Sequence, residues 1–244
     1  MPPDDGPFVS REALVDGEVH RYRVFVPAQP ASGGKRPVIL FLHGSGERGD
    51  DGLKPALAGL GPYLRVQADA FPAIVVFPQV PDGEEWSDNA VLAFATLDAA
   101  TREFGGDASR TYLTGMSMGG YGTWELALMQ PGRFAALAPV CGGITRANGR
   151  PSLAVRNVAG AADPFAETAR RLRDTPIWIF HGAKDDIVLP DQSRHMAAAL
   201  KAANATDARY TEFPNANHNS WDPAYATAEF WTWLWRQQRA PKTL

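Results

Sequence analysis

Residues 111–120 read TYLTGMSMGG, and this stretch decides the fold. An apolar run of β-forming residues meets a G-x-S-x-G turn centred on Ser117, and a helical pattern follows as far as Met129. Glycine at positions 115 and 119 fits a turn so tight that a side chain two residues to either side of the serine would clash. The turn lifts the Ser117 hydroxyl out of the sheet and brings the N–H of Met118 to the start of a helix. The stretch therefore predicts a strand–turn–helix unit that presents a reactive serine.

The composition excludes several classes of function. The 244 residues carry 24 Lys and Arg and 27 Asp and Glu, so the net charge is -3, and no basic stripe suggests nucleic acid as a partner. No apolar run approaches the roughly 20 residues needed to cross a bilayer, so membrane insertion is not expected. The acidic, proline-rich N-terminus lacks the features of a signal peptide, which favours a cytoplasmic protein, or a secreted one if a leader has been removed. The single cysteine, Cys141, is expected to be a buried structural thiol, with no metal site.

Strand and helix patterns alternate along most of the chain. Residues 8–15 and 19–26 flank an Asp-Gly turn and predict an antiparallel hairpin. Further strand patterns lie at 37–42, 73–77, 135–140, 176–180 and 209–213. Helices are predicted after Asp88, over 190–203 and, as a single helix, over 222–238. The predicted fold class is α/β, with a mostly parallel central sheet, helices on both faces and an N-terminal antiparallel hairpin, in one domain spanning residues 1–244.

Residues 144–175 interrupt this alternation. The segment contains glycine, proline and arginine with little periodicity, and it lies between two strands whose C-terminal ends should border the site. A segment of this length is more often functional than idle, so it is a candidate small cap or lid, with a disordered surface excursion as the alternative. Its arginines Arg146, Arg150 and Arg156 suggest contact with a polar or acidic substrate.

A reactive serine needs a histidine as base and an acid to orient that histidine. His218 lies in NANHNSWD, after the last strand and before the last helix, which is the expected place and chain order. His43 and His181 each end a buried strand in an H-G pair and are expected at the rim of the site. His20 in the hairpin and His195 in a helix are expected at the surface.

The acid should follow the strand at 176–180. There HGAKDDIVLP supplies Asp185 and Asp186, and either carboxylate could orient the imidazole. The unused one would be a solvated loop carboxylate or a partner of Arg194. Asp163 is a weaker candidate, because it lies within the irregular segment and not just beyond a strand.

The loop LHGSGERG at 42–49 predicts the second part of an oxyanion hole. Its glycines allow the N–H groups of Gly44 and Ser45 to approach a substrate carbonyl oxygen, opposite the N–H of Met118. Glu47 and Arg48 are expected to pair with each other or to hold the loop. Neither of the glycine motifs that bind phosphate is present.

These motifs together resemble a bacterial esterase family. The resemblance rests on LHGSGERGDD, FPQ, EWSD, YLTGMSMGGYGTWELA, HGAKDDIVLPDQS and NHNSWDPAY, and it spans about residues 8–235. The family is the phospholipase/carboxylesterase and polyhydroxybutyrate-depolymerase-like branch of the α/β-hydrolases, which is related to feruloyl and acetyl xylan esterases. Its acid motif resembles H-G-x-x-D-x-x-V-P, which selects Asp185 when aligned from His181. Leu189 replaces the proline of the motif, which is displaced to Pro190.

The residues and the resemblance predict a serine esterase that needs neither cofactor nor metal. Ser117 attacks a small-molecule or polysaccharide-linked ester, His218 transfers the proton, Asp185 orients His218, and water releases the acyl-enzyme. Gln79 and Trp86, at strand ends near the rim, are candidate substrate-binding residues. One alternative is a peptidase of the prolyl-oligopeptidase type, which shares the serine turn and the acid motif. Another is a non-catalytic binding protein on a hydrolase scaffold. The sequence leaves the oligomeric state open.

Overall fold

The computed structural model describes residues 1–29, 34–147 and 152–239. The strands are β1 (Phe8–Val15), β2 (Glu18–Phe25), β3 (Arg36–Leu42), β4 (Ile74–Phe77), β5 (Gly106–Met116), β6 (Ala136–Val140), β7 (Ile177–Gly182) and β8 (Ala208–Phe213). They form one sheet in the order β1-β2-β4-β3-β5-β6-β7-β8. The pairs β1–β2 and β2–β4 are antiparallel, and all the remaining pairs are parallel. The mostly parallel sheet with an N-terminal hairpin, predicted from the sequence, is confirmed.

Helices cover both faces of the sheet. They are α1 (Leu60–Val66), α2 (Ala90–Glu103), α3 (Met118–Met129), α4 (Pro164–Leu172), α5 (Asp191–Ala202), α6 (Trp221–Ala226) and α7 (Ala228–Leu234). Buried side chains of α2, α3, α4 and α5 pack on one face, and those of α1, α6 and α7 pack on the other. None of the described helices is long and apolar enough to cross a membrane.

The central strand β3 shows why its sequence is apolar throughout. Val38, Leu40 and Leu42 belong to the core on one face, whereas Ile39 and Phe41 belong to the core on the other. All five side chains are fully buried. Since successive side chains of a strand point to opposite faces, a strand covered on both faces has no polar position.

The predicted single helix over 222–238 is wrong. Thr227 separates α6 from α7 and has extended backbone angles, with φ of -75° and ψ of 108°. Its hydroxyl donates a hydrogen bond to the carbonyl oxygen of Pro223 at 2.8 Å, so it satisfies one carbonyl at the end of α6. The aromatic side chains of α7 nevertheless pack against the sheet as expected, and Phe230, Trp231 and Trp233 are buried.

The described part of the segment 144–175 is packed and is not a surface excursion. Backbone hydrogen bonds join Val155 N–H to the Ile144 carbonyl at 2.9 Å and Ala147 N–H to the Leu153 carbonyl at 3.2 Å. Ile144, Leu153, Val155 and Val158 are buried in the core beside α3 and α4. Its role as a lid and the single-domain organisation stay predictions, and Arg150 lies outside the described residues.

Candidate active site

Ser117 occupies the turn between β5 and α3. Its backbone has φ of 55° and ψ of -116°, a conformation that a residue with a side chain adopts only under strain, at a cost of about 1–3 kcal/mol. The surrounding backbone holds this conformation. The N–H of Ser117 donates to the Val140 carbonyl at 2.9 Å, and its carbonyl accepts from Gly120 N–H at 2.8 Å. The turn thereby fixes the serine at the C-terminal end of the sheet.

The two glycines of G-x-S-x-G are required by close backbone contacts. A Cβ on Gly115 would lie 2.3 Å from the carbonyl oxygen of Gly119. A Cβ on Gly119 would lie 1.9 Å from the carbonyl oxygen of Leu42. Because the obstructing atoms belong to the main chain of β3 and α3, they cannot move aside as a flexible side chain could. The spacing of the motif is thus explained by packing around the serine.

A continuous chain of hydrogen bonds links a serine, a histidine and an aspartate. His218 Nε2 lies 2.9 Å from Ser117 Oγ, and His218 Nδ1 lies 2.7 Å from Asp185 Oδ2. Ser117 and Asp185 are buried, whereas His218 is partly exposed and makes an edge-to-face contact with Trp221, with ring centroids 5.7 Å apart. These distances are suited to proton transfer from the serine to the imidazole.

The surroundings of Asp185 keep it ionised. Burial would raise the pKa of its carboxyl, but hydrogen bonds from His181 and His218, the charge of His218 and the N–H of Ile187 outweigh that effect. The pKa therefore lies well below its usual range. Since a carboxylate can only accept hydrogen bonds, His218 Nδ1 must carry the proton on that side of the ring. Nε2 is then left as the acceptor that faces Ser117.

The loops that carry Asp185 and His218 are fastened to each other. Lys184 N–H donates to the Ala216 carbonyl at 3.0 Å, which joins the loop after β7 to the loop after β8. Gly182 permits this approach, because a Cβ there would lie 2.1 Å from the carbonyl oxygen of Asn217.

The other acidic candidates lie elsewhere. Asp186 is exposed, and its neighbour Asp185 is the carboxylate that reaches His218. Asp163 caps α4, where its Oδ1 accepts from the N–H groups of Phe165 and Ala166. Such a cap satisfies two backbone donors that the first turn of a helix leaves without partners.

The two histidines expected at the rim are completely buried, and each holds a neighbouring loop in place. His181 Nε2 lies 2.8 Å from the Val188 carbonyl and 3.2 Å from Asp185 Oδ2, so its ring holds the acid loop. His43 Nε2 accepts from Val80 N–H at 3.0 Å, and its Nδ1 faces the Gly44 carbonyl at 2.6 Å. Burial lowers the pKa of His43 to about 4, so this ring is neutral near pH 7. It ties the predicted oxyanion loop, residues 42–49, to the segment that follows β4.

The oxyanion loop lies directly beside the serine. The point that a Cβ on Gly44 would occupy is 3.6 Å from Ser117 Cβ. Ser45 begins the short turn Ser45–Glu47, and Met118 is the first residue of α3, whose N–H has no acceptor within the helix. The N–H of Gly44 interacts with the carboxyl group of Glu47 and lowers the pKa of that group. This N–H thus faces the Glu47 carboxyl group, and the role of Gly44 in the oxyanion hole stays a prediction.

Gln79 and Trp86 lie beneath the oxyanion loop and not on a surface open to substrate. Gln79 is 2% exposed; its Nε2 donates to the Glu47 carbonyl at 3.0 Å, and its Oε1 accepts from Gly52 N–H at 2.6 Å. Trp86 is 1% exposed, and its indole N–H donates to the His43 carbonyl at 3.0 Å. Both side chains satisfy backbone groups of the loop, so the structure gives them a supporting position.

Cys141 lies next to the hydrogen-bonded chain. Its thiol, a carboxylate oxygen of Asp185 and a ring nitrogen of His218 lie within 4.8 Å of one another, close enough in principle to hold a metal ion. Burial raises the pKa of the thiol well above its usual value, so the neutral form is strongly favoured. Asp185 and His218 are already hydrogen-bonded to each other, and the absence of a functional metal stays a prediction.

Comparison with known proteins assigns the chain to a family. Residues 91–239, which include the serine turn, the acid loop and the histidine loop, match the model of the prolyl oligopeptidase family. The chain belongs to the prolyl oligopeptidase family. Its fold is shared with solved hydrolases, among them a structure described as a thermostable esterase. That structure is 29% identical, with a TM-score of 0.76 over 96% of this chain and 64% of the other.

Two curated relatives of this chain carry esterase names. The putative esterase NocK of Nocardia uniformis subsp. tsuyamanensis is 32% identical over 178 residues, or 67% of this chain and 51% of NocK. The bifunctional acetylxylan esterase/xylanase XynS20E of Neocallimastix patriciarum is 25% identical over 226 residues, or 87% of this chain and 29% of that protein. The chain thus spans about half the length of NocK and less than a third of XynS20E. The resemblance to α/β-hydrolase esterases, drawn from the motifs, is confirmed.

Proposed function

We propose that this chain is a serine hydrolase that cleaves carboxylic esters through an acyl-enzyme. The observation that carries the proposal is the unbroken hydrogen-bond chain from Ser117 through His218 to the ionised Asp185. The esterase names of its relatives support ester substrates. A binding protein without catalytic function would have no need for the strained backbone of Ser117 or for this alignment.

In the proposed mechanism His218 Nε2 removes the proton as Ser117 Oγ attacks the ester carbonyl. The resulting imidazolium is stabilised by Asp185, which also fixes the ring orientation. The N–H groups of Met118 and Ser45 are the proposed donors to the oxyanion, with Met118 at the positive end of α3. His218 returns the proton to the leaving alcohol, and a water activated by the same imidazole releases the acyl group.

The proposed substrate is a small-molecule or polysaccharide-linked ester, and we expect no nucleic-acid partner. The acetylxylan esterase name of one relative supports a polysaccharide-linked substrate. The arginines of the 144–175 segment give less support to an acidic substrate. Arg156 is already paired with Asp88 through two hydrogen bonds of 2.5 and 3.0 Å. Cytoplasmic or secreted location stays a prediction.

The name of the matched family keeps peptide hydrolysis as the second candidate function. The two functions differ in the leaving group, since an amine leaves only after protonation whereas an aryl alcohol leaves readily. The test compares kcat/KM for the p-nitrophenyl ester and the p-nitroanilide of the same acyl group, together with a blocked peptide anilide. We expect efficient cleavage of the ester alone, and its loss in Ser117→Ala. Efficient cleavage of the peptide anilide with little ester hydrolysis would establish the peptidase function instead.

A further inference from the structure

Glu47 brings a carboxylate close to the reactive serine. It ends the short turn Ser45–Glu47 in the oxyanion loop. Its Oε2 lies 3.1 Å from the point that a Cβ on Gly44 would occupy, and the same point is 3.6 Å from Ser117 Cβ. The carboxylate of Glu47 and the side chain of Ser117 therefore flank one small space.

This carboxylate has no cationic partner within the part of the chain that the structure describes. Arg48, the next residue, turns away and forms an ion pair of 2.9 Å with Glu85. Lys54, the other cation of the loop region, lies 3.7 Å from Asp51. Of the two roles expected for Glu47 and Arg48, pairing with each other is thus wrong, whereas a role in holding the loop stays open. The two nearby cations are each matched by another acid. One negative charge is left over beside the serine.

Holding this charge in a half-buried position has a cost. Burial raises the pKa of Glu47, and the N–H groups of Gly44 and of Glu47 itself offset this only in part. A carboxylate that is removed from water without a counter-ion destabilises the folded protein. Groups with perturbed pKa values cluster at functional sites, and a positively charged ligand would supply the counter-ion that Glu47 lacks here.

The backbone around Glu47 is held in place. The buried amide of Gln79 donates to the Glu47 carbonyl at 3.0 Å, and the ion pair of Arg48 anchors the following residue. A backbone supported in this way limits the ordering that a substrate must impose on the loop, so less of the interaction energy is lost.

We propose that Glu47 selects the charge of the ester substrate, favouring a positively charged group near the scissile bond and disfavouring a negative one. The inference rests on the proposed esterase function, because it assigns a substrate class to the same site. We take the Glu47 carboxylate and the cationic group of the substrate as two unit charges about 7 Å apart. Their interaction would change kcat/KM by about threefold to fiftyfold, for effective dielectric constants between about 80 and 20. The effect should weaken as salt is added, since the group is only half-buried.

The test uses two esters of the same shape and different charge. Butyrylcholine carries a quaternary ammonium on its alcohol side, and 3,3-dimethylbutyl butyrate replaces that nitrogen by carbon. The ratio of their kcat/KM values is measured for the parent protein, Glu47→Gln and Glu47→Asp. Asp69→Asn is the matched control, since it also removes one carboxylate. Asp69 is exposed and precedes the N-terminal end of β4, whereas Ser117 lies at the C-terminal end of the sheet.

We expect the parent and Asp69→Asn to prefer the cationic ester by about threefold to fiftyfold. Glu47→Gln should lose most of this preference, whereas Glu47→Asp, which keeps the charge, should retain a preference. An equal fall in kcat/KM for both esters in Glu47→Gln, or no preference for the cationic ester in the parent, would overturn charge selection. The proposed esterase function would still stand if Ser117-dependent hydrolysis of the neutral ester is observed. If the parent hydrolyses neither ester, the proposed function and this inference are refuted together.

Discussion

Replacement of Asp185 by asparagine tests how the hydrogen bonds of the site determine the protonation of His218. Asp185 Oδ1 accepts from the N–H groups of Ile187 at 2.9 Å and Val188 at 3.0 Å, while Oδ2 faces His218 Nδ1 at 2.7 Å. An asparagine should keep its oxygen on the two backbone donors, because an NH₂ group there would leave both without an acceptor. Its NH₂ group then faces His218 Nδ1.

A donor opposite Nδ1 forces that nitrogen to accept, and the proton of the neutral ring moves to Nε2. An imidazole protonated at Nε2 cannot take the proton of Ser117. The loss of the correct tautomer in a triad of this kind lowers turnover roughly 10⁴-fold, which is about 5.4 kcal/mol of transition-state stabilisation. We therefore expect Asp185→Asn to fall to about 10⁻⁴ of the parent turnover.

The assay is turnover of a p-nitrophenyl ester, with folding checked by circular dichroism and thermal unfolding. Asp186→Asn is the matched control, because it makes the same change at the exposed neighbouring position. It should stay within a few-fold of the parent, since exposed charges contribute only about 0–1 kcal/mol. A collapse of activity in Asp186→Asn, or an Asp185→Asn variant that folds and keeps a tenth of the parent turnover, would refute the reasoning.

Three further predictions concern the packing and acid stability of the site. Gly119→Ala should destabilise the protein by about 1–3 kcal/mol or more, because its Cβ would meet the last carbonyl of β3 at 1.9 Å, whereas Gly160→Ala, with nothing within 4 Å, should change little in urea unfolding. Trp86→Phe removes the N–H that serves the buried His43 carbonyl and should cost about 1–3 kcal/mol in the same measurement; an unchanged midpoint would contradict the supporting position of Trp86. Because the pKa of Asp185 is lowered by folding, its ionisation stabilises the protein fully above about pH 4 and progressively less below it. The difference in unfolding free energy between the parent and Asp185→Asn should therefore narrow between pH 6 and pH 3, and a constant difference would count against the lowered pKa.

The sequence predicts the tight turn at Ser117 because the constraints on that turn are local. The tight turn at Ser117 needs Gly115 and Gly119 at fixed spacing, and this requirement is visible in the chain. The apolar strands are also visible, because a sheet covered on both faces leaves no polar position. The same local reasoning fails for the end of α6, where a single residue, Thr227, turns the backbone into an extended conformation within an otherwise helical pattern.

The residues misplaced from the sequence are those whose position depends on distant partners. Gln79 and Trp86 stand at strand ends, where substrate contacts are common, yet both are used to satisfy backbone groups of the oxyanion loop. His181 has no sequence signal beyond its H-G pair, and its contact with Asp185 appears only once the acid loop folds back. Arg48 pairs with Glu85, and among the described residues Glu47 is left without a cationic partner. Spacing along the chain does not reveal which acid Arg48 selects.

The most direct test of the central claim is to locate the covalent bond. The parent protein is treated with a fluorophosphonate, its intact mass is measured, and the modified residue is found by peptide sequencing. We predict one label per chain, on Ser117, with no labelling in Ser117→Ala and greatly slowed labelling in His218→Ala, because the serine then lacks its base. A label on any other residue, or undiminished labelling of Ser117→Ala, would contradict the assignment of Ser117 as the nucleophile.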